Sequence, residues 1–126
     1  MKQRIHTDKA PAAVGPFVQG WKAGQMVYVS GQLGIDAEKG AMAEGITAQA
    51  HASMKNLGEV LKAAGAGYGD IVKTTIFIKD MANFQEVNKI YASYFTGDFP
   101  ARSCVEVAAL PLGGLVEIEA VAYIAE

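Results

Sequence analysis

The stretch Leu115 to Ile124 constrains this chain more than any other. Apolar residues occupy both parities of its period-two pattern. Leu115, Val121 and Tyr123 fall on one side, Val116, Ile118, Ala120 and Ala122 on the other, and Glu117 and Glu119 carry the charge. Successive strand side chains point to opposite faces, so a sheet built on this strand needs cover on both sides. Ile71 to Lys79, with Val72, Thr74, Thr75, Ile76 and Ile78, makes the same demand.

Two helices are available as cover. In Ile46 to Ala64, residues Ile46, Ala50, Met54, Leu57, Leu61 and Ala64 recur at spacings of three and four, which predicts an amphipathic helix stopped by Gly65. Asp80 reads as the N-cap of a second helix running to Phe95, with Phe84, Val87, Tyr91, Tyr94 and Phe95 on one stripe. Asp98-Phe99-Pro100 breaks it. Phe17 to Trp21 and Met26 to Gly31 read as a hairpin around Lys22-Ala23-Gly24-Gln25, and Asp36 to Gly45 as a turn-rich loop. Arg102 to Ala108 and Leu115 to Ile124 are the last strands. The order β-β-α-β-α-β-β predicts an α+β domain spanning 1–126, a sheet with two helices on one face. The other face is left for another subunit.

Composition agrees. Of the 126 residues, 51% are hydrophobic and 19% charged, too few charges to coat a small monomer, which predicts a buried subunit interface. Net charge −2 gives no general pull toward nucleic acid or anionic membrane. One cysteine excludes an internal disulfide and points to a reducing compartment. His6 and His51 match no zinc-ligand spacing. Ala23 to Ile35, the longest uncharged stretch, is too short to cross a bilayer, and the first six residues lack the apolar run of a secretory signal. The expected location is the cytoplasm.

Few residues could carry chemistry. Arg102 opens a strand and shares a face with Cys104. A guanidinium is always charged and forks to match a carboxylate, so it wants an anion, either a structural partner or a ligand. Glu117 and Glu119 share one face of a very apolar strand, where a carboxylate could be a general base or could simply face solvent. Asn88 lies on the apolar stripe Phe84, Asn88, Tyr91, Phe95, either tying its helix to a loop or lining a polar pocket. Ser30-Gly31-Gln32 closes a strand where glycine permits close backbone approach. Cys104 is more commonly inert packing than a nucleophile.

Several segments together are similar to the RidA (reactive intermediate deaminase A) family: Ala10-Pro11-Ala12-Ala13-Val14-Gly15-Pro16, Val29-Ser30-Gly31-Gln32, Asp70-Ile71-Val72-Lys73-Thr74-Thr75, Val87-Asn88, Phe99-Pro100-Ala101-Arg102-Ser103-Cys104-Val105 and Val116-Glu117-Ile118-Glu119-Ala120. The match runs in order over essentially the whole chain. The resemblance implies a chorismate-mutase-like fold, mostly antiparallel, and a homotrimer whose sheets form a barrel-like core with sites in clefts between subunits. It implies hydrolysis of 2-imino acids or their enamine tautomers, such as 2-iminobutanoate and 2-iminopropanoate, to 2-oxo acids and ammonia, without cofactor or metal. Pyridoxal-phosphate-dependent dehydratases acting on serine or threonine release such imines. By the same resemblance Arg102 pairs with the substrate carboxylate and Glu117 positions or activates water. Phe17, Ser30, Gly31, Asn88 and Cys104 line the pocket. The family commonly has tyrosine where this chain has Phe17, so the aromatic wall is kept and a hydroxyl donor is lost.

A non-catalytic trimer that binds 2-oxo acids or other small carboxylates is the principal alternative, and Phe17 favours it slightly. RNA cleavage is a third reading, opposed by the near-neutral charge and the two arginines, and chorismate mutase a fourth, opposed by the deaminase-like motifs.

Overall fold

The computed structural model describes residues 1–125. In chain order the elements are β1 (Lys2–Ile5), β2 (Gly20–Ala23), β3 (Met26–Leu33), β4 (Ile35–Asp36), β5 (Ala41–Met42), α1 (Gly45–Ala63), β6 (Ile71–Ile78), α2 (Phe84–Ala92), β7 (Ala101–Glu106) and β8 (Val116–Tyr123). One six-stranded sheet runs β1-β2-β3-β8-β6-β7, and β4 and β5 form a separate small hairpin. Neighbours in the sheet are antiparallel except β6 and β7. That parallel pair needs a crossover, and α2 provides it. The architecture is α+β, as the element order predicts. No helix among the described residues is long and apolar enough to cross a membrane.

Both helices lie on one face. α1 packs across β3 and β8 and against α2. Its Met54, Leu57, Val60 and Leu61 have no exposed surface and join one core with Val27, Ile76, Ile118 and Ala122 of the sheet. Hydrophobic periodicity does not explain a second buried row on α1, made of Gln49, Ser53 and Asn56. Ser53 Oγ donates to Gln32 O at 2.7 Å, and Asn56 Nδ2 donates to Leu33 O and Ile35 O. Gln49 donates to Ala43 O and accepts from Leu115 N. These side chains satisfy strand-end backbone groups that a plain apolar helix would leave orphaned, and they fasten the end of β3.

The helix stop at Gly65 is a Schellman motif: Gly65 (φ +84°) and Ala66 donate to Lys62 O and Leu61 O. α2 ends earlier than its stripe suggests. Beyond Ala92 the chain tightens into i→i+3 bonds at Ser93, Tyr94 and Phe95, with Ser93 Oγ bonded to Ile90 O. Asp80 caps the turn leading into α2 by accepting from Ala82 N.

At the N-terminus one strand is unforeseen and one expectation is corrected. Residues 2–5 form an edge strand, with Ile5 buried and Lys2 Nζ 4.1 Å from the Trp21 ring centre. The segment expected to start a strand at Phe17 is a loop as far as Gln19. There the buried Gln19 side chain accepts from Thr7 N and donates to Thr7 O and Pro11 O. The local backbone thus bonds to a side chain instead of a sheet partner.

The second sheet face has no helix on it among the described residues. Tyr28, Val105 and Tyr123 point to it and are each more than 40% exposed, with Val121 and Phe77 between them by register. An apolar patch of this kind marks an interaction surface.

Candidate active site

The structure divides the candidate residues into two groups. Arg102 is the second residue of β7, in register with buried Thr74 of β6, so its side chain points to the helix-covered face. Arg102 Nη1 donates to Asn88 Oδ1 at 2.6 Å, and its Cζ lies 5.6 Å from the Phe84 ring centre and 5.3 Å from that of Tyr91. Asn88 therefore ties α2 to β7 and also lines a pocket. That pocket, about 440 Å³, is bounded by Asn88, Tyr91, Ala92, Phe99, Pro100 and Arg102. Among the described residues no carboxylate pairs with Arg102. Two aromatic faces and a neutral amide thus surround a half-buried cation.

Cys104 follows on the same face, half-buried against the core. Burial pushes its thiol up, offset in part by Arg102. A raised thiol is protonated and poorly nucleophilic at neutral pH, and Cys104 is not among the residues that bound the Arg102 pocket.

The second group gathers on the open face around a β-bulge. Val29 pairs with Ala120 and Gln32 with Ile118, so Ser30 and Gly31 together oppose the single residue Glu119. A bulge re-aims side chains and backbone. Here it sets Gly31 against Glu117: a Cβ on Gly31 would lie 2.7 Å from Glu117 Cδ, too close for any other residue without moving the carboxylate. Ser30 Oγ donates to Val18 O at 2.6 Å and so holds the loop carrying Phe17. Phe17 is 53% exposed.

Glu117 is half-buried, and burial, with Glu119 adding, raises its pKa above the ordinary carboxylate value. The folded chain then binds more protons than the unfolded one, so stability falls as pH rises through that window.

Within one chain Arg102 and Glu117 are not neighbours. They occupy opposite faces of the sheet, and β6 separates their strands. Sequence reasoning missed Thr74 and the cradle role of Phe84 and Tyr91. The signal available was the shared stripe of Phe84, Asn88 and Tyr91.

Residues 7–124 match the family model described as Endoribonuclease L-PSP. The 2-iminobutanoate/2-iminopropanoate deaminase of Salmonella typhimurium is 51% identical over 125 residues, covering 97% of this chain and 98% of that one. The chain belongs to the RidA family. Among solved structures, RidA from the Antarctic bacterium Psychrobacter superposes with a TM-score of 0.95 at 45% identity, covering 97% of this chain and 99% of that one. Escherichia coli TdcF with bound serine gives 0.95 at 40% identity, with 98% and 99% covered. The RidA fold therefore extends over nearly all of the chain, both groups of candidate residues included.

Proposed function

We propose that the chain is a hydrolytic deaminase of 2-imino acids such as 2-iminobutanoate and 2-iminopropanoate. The observation that carries this reading is the half-buried Arg102 guanidinium, which has no carboxylate partner among the described residues and faces a pocket large enough for a small carboxylic acid. A charge in that setting is better satisfied by an anion. The substrate named for the Salmonella relative and the serine bound to TdcF are both small molecules with a carboxylate on the reacting or adjacent carbon.

In this reading Arg102 takes the carboxylate in a two-pronged bond, which holds C2 in place. Glu117, made more basic by burial, removes a proton from water as the oxygen adds to C2 of the protonated imine. Glu117 returns that proton to the amine of the carbinolamine, the C–N bond breaks, and the hydroxyl proton leaves with the ammonia as ammonium, so that the 2-oxo acid and the starting carboxylate remain. No cofactor or metal takes part, and the thiol of Cys104 makes no covalent attack.

Because Arg102 and Glu117 lie on opposite faces, the complete site is assembled between copies. A second chain laid on the open apolar face brings its Arg102 edge over Glu117, Gly31 and Phe17 of the first. With the three copies that the family resemblance implies, such head-to-tail contacts close into a homotrimer with three sites. Pyridoxal-phosphate-dependent dehydratases are its suppliers, in the cytoplasm. RNA cleavage, which the family model's description suggests, fits poorly with a net charge of −2.

The test is to generate 2-iminobutanoate with a dehydratase and follow 2-oxobutanoate. Acceleration over the buffer rate is expected; binding of 2-oxobutanoate without acceleration would establish the binding module instead. Phe17→Tyr should raise kcat/KM roughly fivefold, the worth of about one added hydrogen bond of 1 kcal/mol.

A further inference from the structure

We infer that Tyr91 and Thr74 are positioning residues that set the plane of the Arg102 guanidinium, and so the affinity for the substrate carboxylate. This rests on the reading of Arg102 as the carboxylate anchor. A strand-edge arginine has four flexible side-chain torsions, and a two-pronged bond requires one plane. Asn88 holds Nη1 alone. The rest of the orientation comes from the ring faces of Phe84 and Tyr91.

Tyr91 is itself fixed. Its hydroxyl shares a 2.7 Å hydrogen bond with Thr74 Oγ1, and both residues are buried, at 4% and 1% exposure. Thr74 is the residue in register with Arg102 on the neighbouring strand. A closed circuit results: Thr74 on β6, Tyr91 on α2, Arg102 on β7, and Asn88 back on α2. The Tyr91 ring has a further support: the Phe95 ring centre lies 4.9 Å from its own, and Phe95 in turn meets Phe99 of the pocket wall at 5.9 Å between centres. A Phe–Val pair would fill the same space without any polar atom to satisfy. The hydroxyl pair adds direction, because hydrogen bonds fix a ring's height and tilt where apolar contact permits sliding.

Thr74→Val, Tyr91→Phe and the double variant test this. Each is titrated with 2-oxobutanoate by NMR, assayed for KM and kcat with 2-iminobutanoate, and unfolded in urea. Either single change strands a buried hydroxyl and lowers stability; the double change removes both and recovers it. Affinity is expected to weaken three- to tenfold in both singles and to stay weakened in the double, with KM following. KM does not depend on the folded fraction, so a merely structural role would leave it at the wild-type value or restore it together with stability. Either of those results overturns the inference. Arg102→Ala separates the two levels. If it loses 2-oxobutanoate binding while the hydroxyl variants keep theirs, the inference fails and the anchor stands. If it binds as wild type, the anchor reading itself fails.

Discussion

Arg102→Ala is expected to lower kcat/KM for 2-iminobutanoate by roughly two orders of magnitude. The bond lost is charge-assisted and double, each half worth about 1.5–3 kcal/mol. A loss of about 3 kcal/mol in transition-state stabilisation corresponds to a factor of roughly 150. Arg102→Lys should recover only part of this, since an ammonium keeps the charge but not the fork and cannot lie flat between Phe84 and Tyr91. The fold should survive either change, because among the described residues the guanidinium hydrogen-bonds only to Asn88 and leaves no ion pair broken. Steady-state kinetics with circular dichroism as a folding control checks the result. Arg102→Ala at the wild-type rate would remove the deaminase assignment at its base.

Mixing two inactive variants should restore activity. If each site takes Arg102 from one copy and Glu117 from another, trimers formed by co-expressing Arg102→Ala with Glu117→Gln contain some sites with both residues intact. With equal amounts and random assembly, about one quarter of all sites are complete. The mixture should therefore recover about a quarter of wild-type activity from parents that each retain very little. If one chain supplies both groups, every site lacks one of them and the mixture stays as inactive as its parents. The expectation follows from the sheet: Arg102 is in register with Thr74 on the helix-covered face, whereas Glu117 alternates with buried Val116 and Ile118 and so faces the other way.

Much of this is legible in the residues. The spacing of Ala50, Met54, Leu57 and Leu61 identifies α1 and its buried face, and Gly65 its end. Period two places Arg102 with Cys104 and Glu117 with Glu119, and both pairings hold. Asn88 stands out as a polar residue on an apolar stripe, and its amide does hold Arg102. The strand Lys2–Ile5 is not legible. Its first three residues are polar and exposed, and only Ile5 and the Trp21 contact reveal that it pairs. Tyr91 reads as ordinary core, because its partner Thr74 lies on another element and periodicity says nothing about contacts between elements.

The sequence by itself determined the α+β class and the order of the elements β2, β3, α1, β6, α2, β7 and β8, apart from the short strands β1, β4 and β5. It also determined the two-sided apolarity of Leu115 to Ile124 and the membership of nearly the whole chain in one family. Each is written in local spacing or in motifs read in order, and needs no knowledge of which strands meet. The tertiary structure alone decided that helices cover only one sheet face and that a bulge at Ser30-Gly31 seats Glu117. It also decided that Arg102 and Glu117 lie on opposite faces. Alternation fixes a side chain's face relative to its own strand only. Which face that becomes in the sheet depends on register between strands distant in the chain, and one extra residue in a bulge reverses it. The apolar surplus that Leu115 to Ile124 announces is accordingly half spent under α1 and half left on the open face, where Tyr28, Val105 and Tyr123 remain uncovered in a single copy.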